Sequence, residues 1–441
     1  MPAAAGISTR VVPADAMKLL AIGDMHLGRV PVALPDNLID RALKLGPEAA
    51  WSRCIERAIE LEVEAVVLAG DVVDRERDFF GGYNALRQGI EKLTAAGIEV
   101  IAVAGNHDTQ VLPRLADALP ALKLLGRGGH WQTLELSEAV VLGWSFPSAR
   151  VAWSPLETLT LPETGLPILG LLHCDRDQPG SVYAPVTSAE LAAVPVSAWL
   201  LGHVHQPDFG DTDEPGRPCG YLGSVSALRA SETGPRGPWL IELDGRRVRS
   251  RQLALAPLAY DAIDIDVAAL EQAGDLAGLI LKAAKAGVRQ RIAADALPDA
   301  LGLRICLVGQ TPIGAALADQ AAQLDIEATG FDVSGCQVFV DRIDSAFAPA
   351  LDLKALARQP DPAGLLARDL LLLQGPDCEP RRRLIAQARP GLERIASIAE
   401  FQALVENDAG PGASAISADE IVKLLIESGR AALIQLLEQR A

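Results

Sequence analysis

The sequence predicts an α/β fold, and three observations predict it. Short runs rich in Leu, Ile and Val recur, each closed by glycine and then polar residues: KLLAIGDMH (18–26), EAVVLAGDVVD (64–74), IEVIAVAGNHD (98–108), LPILGLLHCD (166–175) and VSAWLLGHVH (196–205). Continuous apolar runs of this length, bounded by turn residues, suit strands buried on both faces. Helical periodicity lies between the early runs. Trp51, Cys54, Ile55, Ala58 and Ile59 fall at i, i+3, i+4, i+7 and i+8, and YNALRQGIEKLTAAG (83–97) ends on a glycine suited to a helix C-cap. Strand and helix alternate, which implies a layered sheet. All five polar clusters stand at the carboxyl ends of the runs, where ligands collect in open α/β sheets, so they are expected to converge on one site.

The 441 residues are too many for one ordinary core. Residues 1–16 read as a flexible lead-in and 17–256 as the main α/β domain. Within the latter, GPWLIELDGRRVRSRQLAL (237–255) reads as a hairpin turning at Asp244-Gly245. The style changes after Pro257. Residues 257–345 read as a smaller α+β domain, with YDAIDIDV, a helix around 268–286, LGLRICLVGQT and GCQVFVDRID. Residues 346–441 are mostly Ala/Leu helical, broken at RQPDPAG and at the linker NDAGPGASA. The last helix opens with a capping box, Ser417 with Glu420, and carries Ile421, Leu424, Leu425, Leu436 and Leu437.

Hydrophobic residues make up 49%, mostly Ala, Leu and Val, and no uncharged apolar run nears the roughly 20 residues of a membrane span. The amino-terminal stretch lacks a basic segment followed by an unbroken apolar one, so no secretory signal is expected. Six scattered cysteines without a CxxC fit free thiols in the cytoplasm. The net charge of −17 argues against tight autonomous binding to nucleic acid, whose affinity comes from Lys and Arg neutralising phosphates. A nucleic-acid role therefore needs local basic patches, metal ions or a partner.

Five of the six histidines, His26, His107, His173, His203 and His205, lie in the strand-end clusters. A lone buried histidine is more often a hydrogen-bonded core residue than a ligand; five placed this way are not. In extended backbone, residues i and i+2 face one side, so Asp24 with His26, and His203 with His205, are each expected to aim two ligand atoms at one spot. Carboxylate, carboxamide and imidazole suit borderline to hard divalent ions such as Mn2+, Fe2+ or Zn2+. The candidate ligands Asp24, His26, Asp71, Asn106, His173, His203 and His205 exceed what one ion takes while keeping an open position, so two ions are expected. Such a pair clamps the attacking and leaving oxygens of an in-line displacement at phosphorus.

GDMH, GDVVD, GNHD, the later isolated His173 and GHVH together resemble the calcineurin-like metallophosphoesterases, whose pattern is DxH, GDxxD, GNHD/E, H and GHxH. Each motif alone is weak; all five in order are specific. Within that family the chain looks most like the SbcD-type DNA-repair exonucleases, on GDMHLG, on GSVSALRASETGPRGPWLIEL with Gly223, Ser224, Arg229, Glu232 and Gly237, and on the appended α+β unit. This resemblance covers about residues 17–345. One departure is Asp74, where SbcD-type enzymes often carry histidine and general phosphoesterases carry Asp.

The resemblance implies a four-layer α/β/β/α sandwich with a smaller capping domain, two divalent ions, most often Mn2+, and 3′ to 5′ exonuclease activity on DNA. By motif position, Asp24, His26 and His205 would hold the first metal, Asp71 would bridge, and Asn106, His173 and His203 would hold the second. His107 would stabilise the transition state and protonate the leaving oxygen, and Asp108 would orient its ring. An SbcC-type coiled-coil ATPase is the implied partner, docked on helices after the phosphoesterase region, and a homodimer is a further expectation. Two alternatives remain: a phosphatase or phosphodiesterase for a nucleotide or other small ester, and a non-catalytic scaffold for an ATPase.

Other features have plainer readings. His130, in GRGGHW, reads as a surface-turn residue. Arg75 and Arg77 interleave with Asp74, Glu76 and Asp78 as a solvated loop or a phosphate contact. Arg247, Arg249 and Arg251 read as one face of an exposed edge strand guarded against aggregation. Arg381 to Arg383 read as a helix surface, and the stripe of the last helix as intramolecular packing.

Overall fold

The computed structural model describes residues 16–32, 34–75, 79–324, 330–396 and 417–438. The expected lead-in, apart from Ala16, and the linker at 407–415 lie outside the described residues. In chain order the elements are β1 (Met17–Ile22), α1 (Asp36–Ile39), α2 (Pro47–Glu60), β2 (Ala65–Ala69), α3 (Phe79–Ala95), β3 (Glu99–Val103), α4 (Val111–Ala118), β4 (Leu122–Leu124), β5 (Trp131–Glu135), β6 (Val140–Trp144), β7 (Ile168–His173), α5 (Ser188–Ala193), β8 (Ala198–Gly202), β9 (Thr212–Gly216), β10 (Cys219–Tyr221), β11 (Trp239–Asp244) and β12 (Arg247–Gln252). There follow β13 (Leu258–Asp266), α6 (Leu276–Ala293), β14 (Ala300–Val308), β15 (Gln310–Thr311), α7 (Gly314–Gln323), β16 (Phe331–Val333), β17 (Cys336–Ser345), β18 (Ala348–Pro349), α8 (Leu353–Leu356), α9 (Pro362–Gln374), α10 (Glu379–Ala396) and α11 (Ala418–Glu438).

Two sheets form the centre. One has the order β4-β3-β2-β1-β11-β12-β9, the other β10-β8-β7-β6-β5. β1 to β4 are mutually parallel, as are β6, β7, β8 and β10. The period of two explains why these strands read as unbroken apolar runs. On β1 and β2, Leu20, Ile22, Val66 and Leu68 pack against Trp51, Cys54 and Ile55 of α2 and Leu86 and Ile90 of α3. Their neighbours Leu19, Ala21, Val67 and Ala69 pack instead against Val141, Leu169, Leu171 and Leu200 of the second sheet. The outer face of that sheet, with Leu142, Leu172, Trp199 and Leu201, is covered by Phe146, Val151, Ala184, Val186 and Leu191. The layers are therefore helix, sheet, sheet and a thinner outer layer of α5 and loops. Truncating a buried leucine in such layers costs about 2–5 kcal/mol.

The Asp244-Gly245 hairpin forms as read, joining β11 to β12 in antiparallel register. β12 is not an edge strand, because β9 pairs with it beyond the hairpin; the edge-strand explanation for Arg247, Arg249 and Arg251 is thereby corrected. A turn signal identifies a hairpin but carries no information about which distant strand will cover it.

The chain divides into two compact units. Among the described residues, the first takes in those of 16–265 together with 276–307 and 321–344, so it includes the sheet ordered β13-β14-β17-β16. Leu258, Tyr260, Ala300 and Phe339 of that sheet share a core with Leu38, Leu45 and Ala227, and Arg53 pairs with Asp299 at 2.7 Å. The second unit is chiefly helical. Leu353, Ala363, Ala367 and Leu370 surround Leu433 of α11, and Leu373, Ile385 and Ile421 form a second cluster. The capping box is present, with Ser417 N donating to Glu420 Oε2 and Glu420 N to Ser417 Oγ. Arg381 and Arg382 flank Asp377 on the surface of α10.

Candidate metal centre

The site lies where β1, β2, β3, β7 and β8 end. Their last residues are Ile22, Ala69, Val103, His173 and Gly202, and each motif turns sharply from there. Asp24, His26, Asp71 and His203 all have positive φ, at 39°, 49°, 48° and 104°. Side chains rarely tolerate this region, and it concentrates where a site over-determines the backbone. The extended i, i+2 reading is thus corrected. Asp24 and His26 do converge, but through left-handed turns, and His203 and His205 point to different clusters.

In the first cluster, His26 Nε2 faces His205 Nε2 at 3.2 Å. His26 Nδ1 lies 3.0 Å from Asp74 Oδ1, and His205 Nδ1 lies 2.8 Å from Glu232 Oε1. Each carboxylate accepts from the Nδ1–H, so in the neutral imidazoles two Nε2 lone pairs confront one another. Asp24 stands with them: its Oδ1 accepts from His203 N at 2.9 Å, while Oδ2 is buried and has no partner.

The second cluster repeats the pattern. His173 Nδ1 donates to Ala69 O at 3.0 Å, leaving Nε2 bare. His203 Nε2 lies 3.2 Å from Asp175 Oδ1, leaving Nδ1 bare. These two nitrogens are 3.2 Å apart, and Asn106 Oδ1 sits 3.0 Å and 3.1 Å from them. With both imidazoles neutral in these tautomers, three acceptor atoms meet here, an arrangement that suits a cation. Asp71 Oδ2 lies between the clusters, 3.7 Å from His26 Nε2 and 3.5 Å from His173 Nε2. The orphaned Asp24 oxygen and the facing lone pairs fit two divalent ions, in the hard to borderline donor set expected.

The electrostatics differ from one imidazole to the next. Burial lowers the His173 imidazole, favouring the neutral form that ligates. Burial is the largest influence on His203 and His205 too and lowers them, but Asp175 on the first and Glu232 on the second, together with Asp24 and Asp71, outweigh it and raise both. The His26 hydrogen bond holds Asp74 down to about 2. Asp71 is lowered although burial opposes it, because His173, His26 and His107 surround it.

His107 is the half-exposed member, its Nε2 4.0 Å from Asp71 Oδ2. Its Nδ1 donates to the carbonyl of Asp74 at 3.1 Å. Asp108 therefore does not orient that ring, which corrects the role expected of it. Its carboxylate is fully buried and instead accepts from Val72 N at 2.7 Å, Gly105 N at 2.8 Å and Val73 N at 3.4 Å, clamping GDVVD to GNHD. Burial, and after it the Asp71 carboxylate, push Asp108 up to about 8. Sequence reasoning assigned no role to the orienting groups Asp74, Asp175 and Glu232. Each was visible inside a motif, but Asp74 is 48 residues from His26 and Glu232 is 27 from His205, so only the fold says which imidazole each serves. His130 is exposed and outside the clusters. Arg75 is exposed and pairs with Asp74 at 3.3 Å, while Arg77 lies outside the described residues.

The calcineurin-like phosphoesterase family profile matches residues 17–207. Residues 17–207 therefore form a calcineurin-like metallophosphoesterase domain. Within that class the chain is similar to a protein of Haloferax volcanii described as "DNA double-strand break repair protein Mre11", 29% identical over 281 residues that cover 56% of this chain and 55% of the relative. A protein of the same description from Aeropyrum pernix is 26% identical over 301 residues, 63% of this chain and 68% of the relative. The "Uncharacterized metallophosphoesterase YhaO" of Bacillus subtilis is 25% identical over 224 residues, 48% of this chain and 52% of the relative. The chain spans about half the length of the Haloferax and Bacillus relatives. No helix among the described residues is long and apolar enough to cross a membrane.

Proposed function

We propose that the chain is a two-metal phosphodiesterase of the DNA-repair exonuclease type. The observation that carries this reading is the pair of adjoining lone-pair clusters joined by Asp71. Asp24, His26 and His205 would hold the first ion, Asn106, His173 and His203 the second, and Asp71 both. Such ions, when bound, supply the charge that clamps the attacking and leaving oxygens of an in-line displacement. The chain's own contribution is placement. Three carboxylates and one carbonyl fix the tautomer of each imidazole, so the ligand set is organised before substrate arrives. His107 stands at the open side with Nδ1 tethered, leaving Nε2 to hold or deliver a proton to a leaving oxygen.

Similarity to proteins described as acting in DNA double-strand break repair supports DNA as substrate. Mn2+ as the ion, 3′ to 5′ polarity, an SbcC-type ATPase partner, a homodimer and a cytoplasmic location complete the proposal. The ATPase would relieve the objection raised by the net charge of −17. That charge favours a second reading, hydrolysis of a small phosphoester. His107→Ala, assayed with Mn2+ on labelled duplex DNA and on bis-p-nitrophenyl phosphate, is expected to keep both ions and lose about 100- to 10,000-fold in turnover. Wild-type cleavage of the small ester without DNA degradation would select the second reading, and full activity of His107→Ala would remove the role given to that residue.

A further inference from the structure

Residues 224–236 run from the metal centre to the four-stranded sheet and are tied at both ends. At the first end, Glu232, 8% exposed, takes His205 Nδ1 on Oε1, while its Oε2 accepts from Leu228 N at 2.8 Å and Ser224 Oγ at 3.2 Å. Arg236, buried beside it, donates to the carbonyl of His205, to Gln206 Oε1 and to Ser224 Oγ. At the other end, Gly234 N donates to Tyr260 O at 2.8 Å and Arg304 Nη1 reaches Ala230 O at 3.5 Å. Ala227 shares the core of Leu258, Tyr260, Ala300 and Phe339.

We propose that Glu232 is a positioning residue for His205, and that this segment is a strut through which the packing of the four-stranded sheet sets how tightly the first cation is held. The proposal rests on the two-cation reading above. The physical step is the tautomer. His205 presents a lone pair at Nε2 only while its proton stays on Nδ1, and the Glu232 carboxylate keeps it there. Removing that carboxylate frees the Nε2–H form, which places a hydrogen where the ligand lone pair must be. His173 is held differently, by Ala69 O at the end of β2, and His203 by Asp175 just after β7. Both of these anchors belong to the sandwich. The strut therefore acts on the first cluster and not on the second.

The test uses the full chain. Mn2+ stoichiometry and affinity are measured by calorimetry and electron paramagnetic resonance, and imidazole tautomers by long-range proton–nitrogen spectra of the metal-free protein. Glu232→Ala is expected to weaken one of two Mn2+ sites by about 10- to 100-fold and leave the other unchanged. Turnover should return at saturating Mn2+, since Glu232 touches no reacting atom, and the His205 Nδ1–H signature should be lost. Glu232→Gln, which keeps an acceptor and guards against misfolding, should fall between. Arg304→Gln and Phe339→Leu, both on the four-stranded sheet, should weaken the same site by a smaller factor. Wild-type Mn2+ affinity in Glu232→Ala would overturn the positioning role, and wild-type affinity in both sheet variants would overturn the strut. Fewer than two Mn2+ in the wild type would instead sink the two-cation reading, with the tautomer spectra still deciding what Glu232 does.

Discussion

Gly105→Ala is a sharp test of the bridging role given to Asp71. A Cβ on residue 105 would stand 2.2 Å from Asp71 Oδ1, 2.6 Å from Asp71 N and 2.9 Å from Asp71 Cγ, against at least 3.4 Å for an ordinary contact. Something must retreat by about 1 Å in a close-packed interior. Gly105 is not among the glycines with positive φ, so the penalty is steric and not conformational. Asp71 Oδ1 also accepts from His107 N at 2.9 Å, so the displacement reaches both the Asp71 carboxylate and the backbone that carries His107. Overpacking of this kind costs about 1–3 kcal/mol, which lowers the melting temperature by about 2–12 °C. A misplacement near 1 Å costs about 100-fold in rate. Hydrolysis of bis-p-nitrophenyl phosphate, Mn2+ titration and thermal unfolding read the three quantities. Gly165→Ala is the control, because its added carbon meets nothing within 4 Å. Wild-type turnover with both ions held at wild-type affinity in Gly105→Ala would refute Asp71 as the shared ligand.

Three other outcomes are expected. Protons compete with cations for the imidazole lone pairs, and His203 and His205 are raised above the ordinary value. Mn2+ affinity should therefore keep rising with pH above about 6.5, and calorimetry showing no dependence between about pH 6.5 and 8.5 would contradict the assignment. Asp108→Ala removes the acceptor of the Val72 and Gly105 amides, costing about 1–3 kcal/mol for each donor left unpaired; unchanged thermal stability would show that the clamp is unimportant. Leu433→Ala, fully buried in the helical unit, should destabilise that unit by about 2–5 kcal/mol while small-ester turnover holds, and a parallel loss of turnover would tie the two units together.

Much of the candidate site was legible because its candidate ligands sit at the ends of apolar runs, where termination by glycine marks both a strand end and a close approach. Gly202 illustrates this: a Cβ there would stand 1.9 Å from Ala69 O and 2.9 Å from His173 Nδ1. The helices before β2 and β3 were legible for a similar reason. The period of α2 buries Trp51, Cys54, Ile55 and Ala58 on one face. The role of Asp108 was misread because a carboxylate following a histidine suggests a ring partner, whereas burial turned it toward three backbone amides. The edge position of β12 was misread because strand order is a long-range property.

By itself, the sequence determined which side chains could ligate and that they would gather at strand ends, since composition, spacing and period are local and survive without coordinates. The tertiary structure alone decided how those candidate ligands divide. His203 joins His173 and Asn106, while His205 joins His26, because positive-φ turns at the edges of two facing sheets, and carboxylates dozens of residues away, set where each ring nitrogen points.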